Sequence, residues 1–151
     1  QRQMCIRDRQ WPARLQQLKT GPLKDIAPDA DLWLDGGHNA AAGQALASHL
    51  AQQSLRPTYL ICGMLNTKDV AGYLAPMAPY VAELFAVSIP GEANTLPAET
   101  TATAAKSVGM AATAADTVNA AVAKILKSDP TSRILICGSL YLAGQILREN
   151  A

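Results

Sequence analysis

The chain has 151 residues, 13 basic and 12 acidic side chains for a net charge of +1, and a composition 49% hydrophobic and 17% charged. That is the size and balance of one globular domain with a core of its own. No basic stripe or aromatic stacking surface speaks for nucleic acid, with aromatics at 5%, and no apolar run nears the roughly 18 residues of a membrane helix. No signal-peptide core is visible at the start. Three cysteines without a close pair argue against a metal site, and Cys62 and Cys137, each before a glycine at the end of an apolar run, read as buried free thiols of a reducing cytoplasm.

Residues 1–10 carry charge without apolar periodicity and read as a tail outside the fold, with a composition compatible with foreign sequence. Residues 19–31, with Gly21, Pro22 and Pro28, read as a connector. Strands and helices then alternate. The short apolar run Leu32, Trp33, Leu34 predicts a strand. Residues 40–55, with Leu46 four before Leu50 and alanines beside them, predict a helix. A second strand over 57–62 closes at Gly63. The segment Asn66, Thr67, Lys68, Asp69 opens a short helix, with Asp69 in its first turn, that stops near Pro76 or Pro79. A third strand spans 83–89, and 90–94 form a loop. Pro97 begins a helix from its first turn, and Gly109 ends it. A weak strand falls near 110–112. Asp116 caps a helix to about Lys127. Residues 133–137 form the last strong strand, and Ser139 opens the final helix to Asn150. The pattern predicts an α/β domain: a mostly parallel sheet covered on both faces, taking ligands at the carboxyl ends of its strands.

That rule points at three loops. The first, Asp35, Gly36, Gly37, His38, Asn39, places a carboxylate, two glycines, an imidazole and an amide where a strand hands over to a helix, a position that favours close backbone approach and anionic groups. Turn and cap roles for Asp35 and Asn39, with His38 incidental, explain the same residues and stay open. In the second loop Lys68 could neutralise a phosphate or a substrate carboxylate, although a helix start explains the segment nearly as well. In the third, Ser139 is a candidate ligand contact or an ordinary N-cap. It is no serine nucleophile of the Gly-x-Ser-x-Gly kind, because Cys137 and Tyr141 stand at the glycine positions. Neither a triphosphate-wrapping loop nor a Gly-x-Gly-x-x-Gly run occurs.

Four segments in order resemble one family. Asp35 to Asn39 looks like the Asp-Gly-[Ala/Gly]-His-Asn-Pro motif of the C-terminal domain of Mur-type ligases. Pro12, Ala13, Arg14, Leu15 resembles the Pro-Gly-Arg-[Leu/Phe] segment of folylpolyglutamate synthases. Gly63 to Asp69 and Cys137 to Gly144 resemble that group's Lys-Asp segment and terminal Gly-Ser-Leu-Tyr motif. The resemblance implies the C-terminal domain of a bifunctional folylpolyglutamate synthase/dihydrofolate synthase, a Rossmann-like three-layer sandwich. Its boundaries here would be a tail at 1–10, an interdomain linker remnant at 11–30 and the domain at 31–151.

The implied reaction is ATP-dependent. A carboxylate of dihydropteroate or of a folate's glutamate tail becomes an acyl phosphate, and the amine of glutamate attacks it. The resemblance assigns Arg14 and Asp35 to ATP, Arg14 at the phosphates and Asp35 at the sugar, and makes His38 the candidate catalytic group. His38 and Ser139 would line the glutamate site, with Lys68 a further substrate contact. Ligands for Mg2+ and the phosphate-binding loop are expected in an absent N-terminal ATPase domain, so this chain alone is expected to be inactive, monomeric and cytoplasmic. Two positions depart from the pattern: Ala40 stands at the usual proline and Ala13 at the common glycine. The competing readings are a peptidoglycan-precursor ligase domain, against which the Gly138, Ser139, Leu140, Tyr141 run speaks, and a non-catalytic nucleotide-binding module.

Overall fold

The computed structural model describes residues 14–53 and 56–150. Six strands form a single sheet in the order β1-β2-β6-β3-β4-β5. They are β1 (Gln16–Gln17), β2 (Asp31–Leu34), β3 (Thr58–Cys62), β4 (Glu83–Ala86), β5 (Ala112–Ala114) and β6 (Arg133–Cys137). Every pairing is parallel except the edge pair β1 with β2, where Gln16 faces Leu34. The helices are α1 (Pro22–Ile26), α2 (Ala40–Ala51), α3 (Val70–Leu74), α4 (Ala98–Ser107), α5 (Val118–Ser128) and α6 (Leu140–Glu149), with a 3₁₀ segment (Ala75–Tyr80) after α3.

The strands read as unbroken apolar runs because both faces of the sheet are covered. On β6, Ile134 and Ile136 face one core, with Val122 and Ile125 of α5 and Leu142 and Ile146 of α6. Leu135 and Cys137 face the other, with Leu46 and Leu50 of α2, Tyr73 of α3 and Ala102 of α4. The result is three layers, helices on both sides of a mostly parallel sheet, as the alternation implied. Cys62 and Cys137 are buried free thiols, directly opposite in register. The hydrogen-bonding neighbour Cys137, and then burial, push the Cys62 thiol well above its ordinary value, which makes it a poor nucleophile. Cys5 and the predicted tail at 1–10 lie outside the described residues.

Several boundaries differ from the sequence expectation for identifiable reasons. The stretch 19–31 carries α1, because Pro22 sits at a helix start, where a missing N–H costs nothing. Leu18, Leu23, Ala27 and Ala30 are all buried, so this stretch packs into the core. Helix α2 ends at Ala51, before the expected residue 55. Strand β4 ends at Ala86, before the expected residue 89. Asp69 caps α3 from outside instead of lying in its first turn, its side chain accepting from the Gly72 N–H. Pro97 occupies the cap position of α4, one place before the expected first turn. The weak strand β5 forms two residues later than 110–112. The cap of α5 is Thr117, which accepts from the Ala120 N–H, and not Asp116.

Candidate functional site at the carboxyl edge of the sheet

Because β6 lies between β2 and β3, the loops leaving these three strands are neighbours. Backbone bonds carry the pairing past the strand ends: Asp35 N–H donates to Ile136 O at 2.9 Å, and Gly63 N–H to Cys137 O at 3.2 Å. Gly138 has φ +109°. A Cβ there would lie 2.7 Å from Gly63 O and 2.9 Å from Cys62 Sγ. Only glycine therefore lets the β6 loop nest on the β3 loop.

Each loop ends in a helix cap made by its own side chain. Asn39 Oδ1 accepts from Ala42 N–H at 2.9 Å at the start of α2. Ser139 Oγ accepts from Tyr141 N–H at 2.9 Å and Leu142 N–H at 3.4 Å at the start of α6. Ser139 is 2% exposed. The cap roles left open for Asn39 and Ser139 are thus real. They also aim the amino ends of two long helices at the same edge of the sheet, where anionic groups are favoured.

Between the loops lies a cleft of about 200 Å³ lined by His38, Leu65, Lys68, Gly138, Ser139, Leu140 and Tyr141. Three of the five residues picked from the sequence, His38, Lys68 and Ser139, meet here, one from each loop. Leu140 and Tyr141 form an exposed apolar rim, 53% and 58% accessible. Sequence reasoning did not single out Leu65, although it lies inside the Gly63 to Asp69 segment that was. A larger hollow of about 460 Å³ opens at the opposite edge, with Thr58, Tyr80 and Arg133 among its lining. Its buried cation is committed to structure, because Arg133 Nη1 donates to Thr58 Oγ1 at 3.2 Å and its Nε faces Asp31 Oδ2 at 3.4 Å. Volume alone does not make it the site.

The other two picked residues form a separate group beside the cleft. Asp35 is buried, and its carboxylate accepts from Leu15 N–H through Oδ1 and from Gly37 N–H through Oδ2, both at 2.8 Å. Burial pushes its carboxyl above the ordinary value, against the two N–H groups and the charge of Arg14, which pull it down. Arg14 is exposed. Among the described residues no three His, Cys, Asp or Glu side chains converge as a metal site would require. No helix among them is long and apolar enough to cross a membrane.

Residues 19–149 match the family described as dihydrofolate synthetase, C-terminal domain. The chain belongs to that family. It is 29% identical over 136 residues to a folylpolyglutamate synthase of Lacticaseibacillus casei, an alignment covering 90% of this chain and 29% of that protein. Its fold is similar to that of a Mycobacterium tuberculosis folylpolyglutamate synthase complexed with ADP and AMPPCP, with a TM-score of 0.73, 25% identity, and coverage of 93% of this chain and 33% of the other. It is also similar to a bifunctional folylpolyglutamate synthase/dihydrofolate synthase with Mn, AMPPNP and L-glutamate bound, with a TM-score of 0.69, 26% identity, and coverage of 91% and 31%. The domain spans about a third or less of the length of each of these relatives. Both of these solved structures hold nucleotide, and the second holds Mn and L-glutamate as well.

Proposed function

We propose that this domain is the C-terminal part of an ATP-dependent ligase that joins glutamate to dihydropteroate or to a folate. Two relatives similar to it are a folylpolyglutamate synthase and a bifunctional folylpolyglutamate synthase/dihydrofolate synthase. The family match favours this reading over a peptidoglycan-precursor ligase and over a module without catalysis. The observation that carries it is the cleft that gathers His38, Lys68 and Ser139 from three loops. At about 200 Å³ it is below the roughly 300–1,000 Å³ of drug-sized pockets. It suits an amino acid better than a pteridine-bearing folate.

In this reading ATP supplies the phosphoryl group that activates the acceptor carboxylate, and the domain's residues position and neutralise. Lys68 and the amino ends of α2 and α6 draw the carboxylates of the incoming glutamate. Ser139, whose oxygen already accepts two N–H bonds, has its hydroxyl proton to donate to one of them. His38 stands where it can orient the amine. Arg14 and Asp35 serve the nucleotide, Arg14 from the phosphate side with a fork that suits phosphate oxygens. Such a site accelerates the reaction by placement and charge. Ligands for Mg2+ come from a preceding ATPase domain, the partner onto which this one closes. Residues 11–15 lead in from that partner, β1 and α1 belong to the domain together with the residues from Asp31 on, residues 1–10 are taken to stand outside it, and the protein works as a cytoplasmic monomer.

The test is ADP release and amide formation from ATP, Mg2+, glutamate and either dihydropteroate or a reduced folate. The full gene product that carries this chain should ligate glutamate, and the 151 residues alone should not. Absence of glutamate incorporation by the full product would overturn the reading, and multiple turnovers by the isolated chain would overturn the division of labour.

A further inference from the structure

The chain enters β1 through a residue in an unfavourable conformation. Leu15 has φ +46°, the one positive value among the described residues other than glycine. An L side chain is disfavoured there because Cβ crowds the next carbonyl, and such a residue persists only where its surroundings over-determine it. Three contacts do so. The Leu15 side chain packs against the core on the α2 side of the sheet. The next residue, Gln16, pairs with Leu34. The Leu15 N–H donates to Asp35 Oδ1 at 2.8 Å across 20 residues of sequence.

The same carboxylate holds its own loop through the Gly37 N–H at 2.8 Å. A Cβ on Gly37 would lie 2.8 Å from that oxygen and 2.6 Å from the Ala42 Cβ, so the loop is closed tightly around the group. Arg14, whose charge acts on Asp35, is bonded directly to the residue being held. An amide or a hydroxyl could close the turn at Gly37. Two acceptor oxygens offered to donors from two segments, beside a cation, call for a carboxylate.

We infer that Asp35 is a positioning residue: by holding the Leu15 N–H it fixes the direction in which Arg14 leaves the domain, toward the loop that opens α2. This rests on the proposed use of Arg14 at the nucleotide. In it the effect of Asp35 on ATP runs through the backbone of the segment leading into the domain, and not through a direct contact.

Amide exchange on this chain and kinetics on the full gene product test it separately. Exchange at Leu15 and Gly37 should be slow, and Asp35→Ala should speed both by about tenfold or more while Ile134 to Ile136 stay protected. Should Asp35→Ala unfold the chain, Asp35→Asn serves, since it keeps one acceptor oxygen and should release one of the two amides. Unchanged protection of both amides in Asp35→Asn overturns the clamp. In the full product, Asp35→Asn should raise the KM for ATP about tenfold and leave that for glutamate unchanged. In an Arg14→Ala background the same change should add less than about twofold, because the two act as one unit. Full additivity would overturn the route through Arg14 and leave Asp35 acting on the nucleotide directly. Absence of ligation in the full product defeats the proposed function, while the exchange result still judges the clamp.

Discussion

Strand β2 is bracketed by two carboxylates with opposite settings. Asp31, at its amino end, lies against Arg133 at 3.4 Å and accepts from Gln17 at 2.8 Å. Burial would raise its carboxyl, but the nearby Trp33 indole, the Gln17 amide and the Arg133 guanidinium outweigh burial and hold it below its ordinary 3.8. Asp35, just past the carboxyl end, has two backbone N–H groups, and burial outweighs them. At the amino edge the charges cancel within the sheet. At the carboxyl edge a carboxylate is kept against its own preference, and His38, Lys68 and Ser139 converge beside it. Strain and cost accepted at one edge and avoided at the other support the proposal that the carboxyl edge carries the site.

Breaking the amino edge should have the largest effect on stability and none on ligation. Arg133→Ala leaves Asp31 and Thr58 without their buried cation, and should cost about 3 kcal/mol by the urea midpoint. Kinetic constants of the full product should not change.

Removing each carboxylate in turn should give pH dependences of opposite slope. The lowered pKa of Asp31 means that its contribution is present above 3.8 and is lost as pH falls through the lower folded-state value. Asp31→Asn should therefore be most deficient near neutrality and converge on the parent in acid. Asp35 is raised, so its favourable contribution is complete below the ordinary value and is lost as pH rises through the folded-state value. The deficit of Asp35→Asn should be greatest in acid and shrink toward neutrality. Urea midpoints at about pH 3 and about pH 7 read both, and parallel slopes would remove the contrast. The smallest effect should come from deleting residues 1–10, which are proposed to stand outside the domain; the midpoint should stay within error.

The sheet was legible because strands buried on both faces must be apolar throughout, as in Ile134, Leu135 and Ile136. The three loops were legible because glycine next to polar residues at a strand end has few other uses, as at Gly37 and Gly138. Helix α1 was not, because Gly21, Pro22 and Pro28 suggest a break, while its place depends on burying Leu23 and Ala27 under the sheet. The caps at Asp69 and Thr117 were missed by one residue, since neighbouring polar side chains are equivalent until the backbone selects one. Nothing local announced the positive φ of Leu15, whose N–H bonds to a carboxylate 20 residues away. No local pattern separates Arg14 and Asp35 from the cleft residues; only the resemblance grouped them apart, with ATP on one side and substrate on the other.

The central claim is that the cleft receives glutamate, and Ser139→Ala in the full gene product tests it most directly. As a cap alone, Ser139 contributes about 1 kcal/mol to stability. As a donor to a glutamate carboxylate it contributes about 1.5–3 kcal/mol more in binding, or roughly ten- to a hundredfold. The account predicts a KM for glutamate raised by that factor, a KM for ATP nearly unchanged, and a modestly lowered urea midpoint. A lowered midpoint with unaltered glutamate kinetics would make Ser139 a helix cap only and contradict the assignment of the cleft to glutamate.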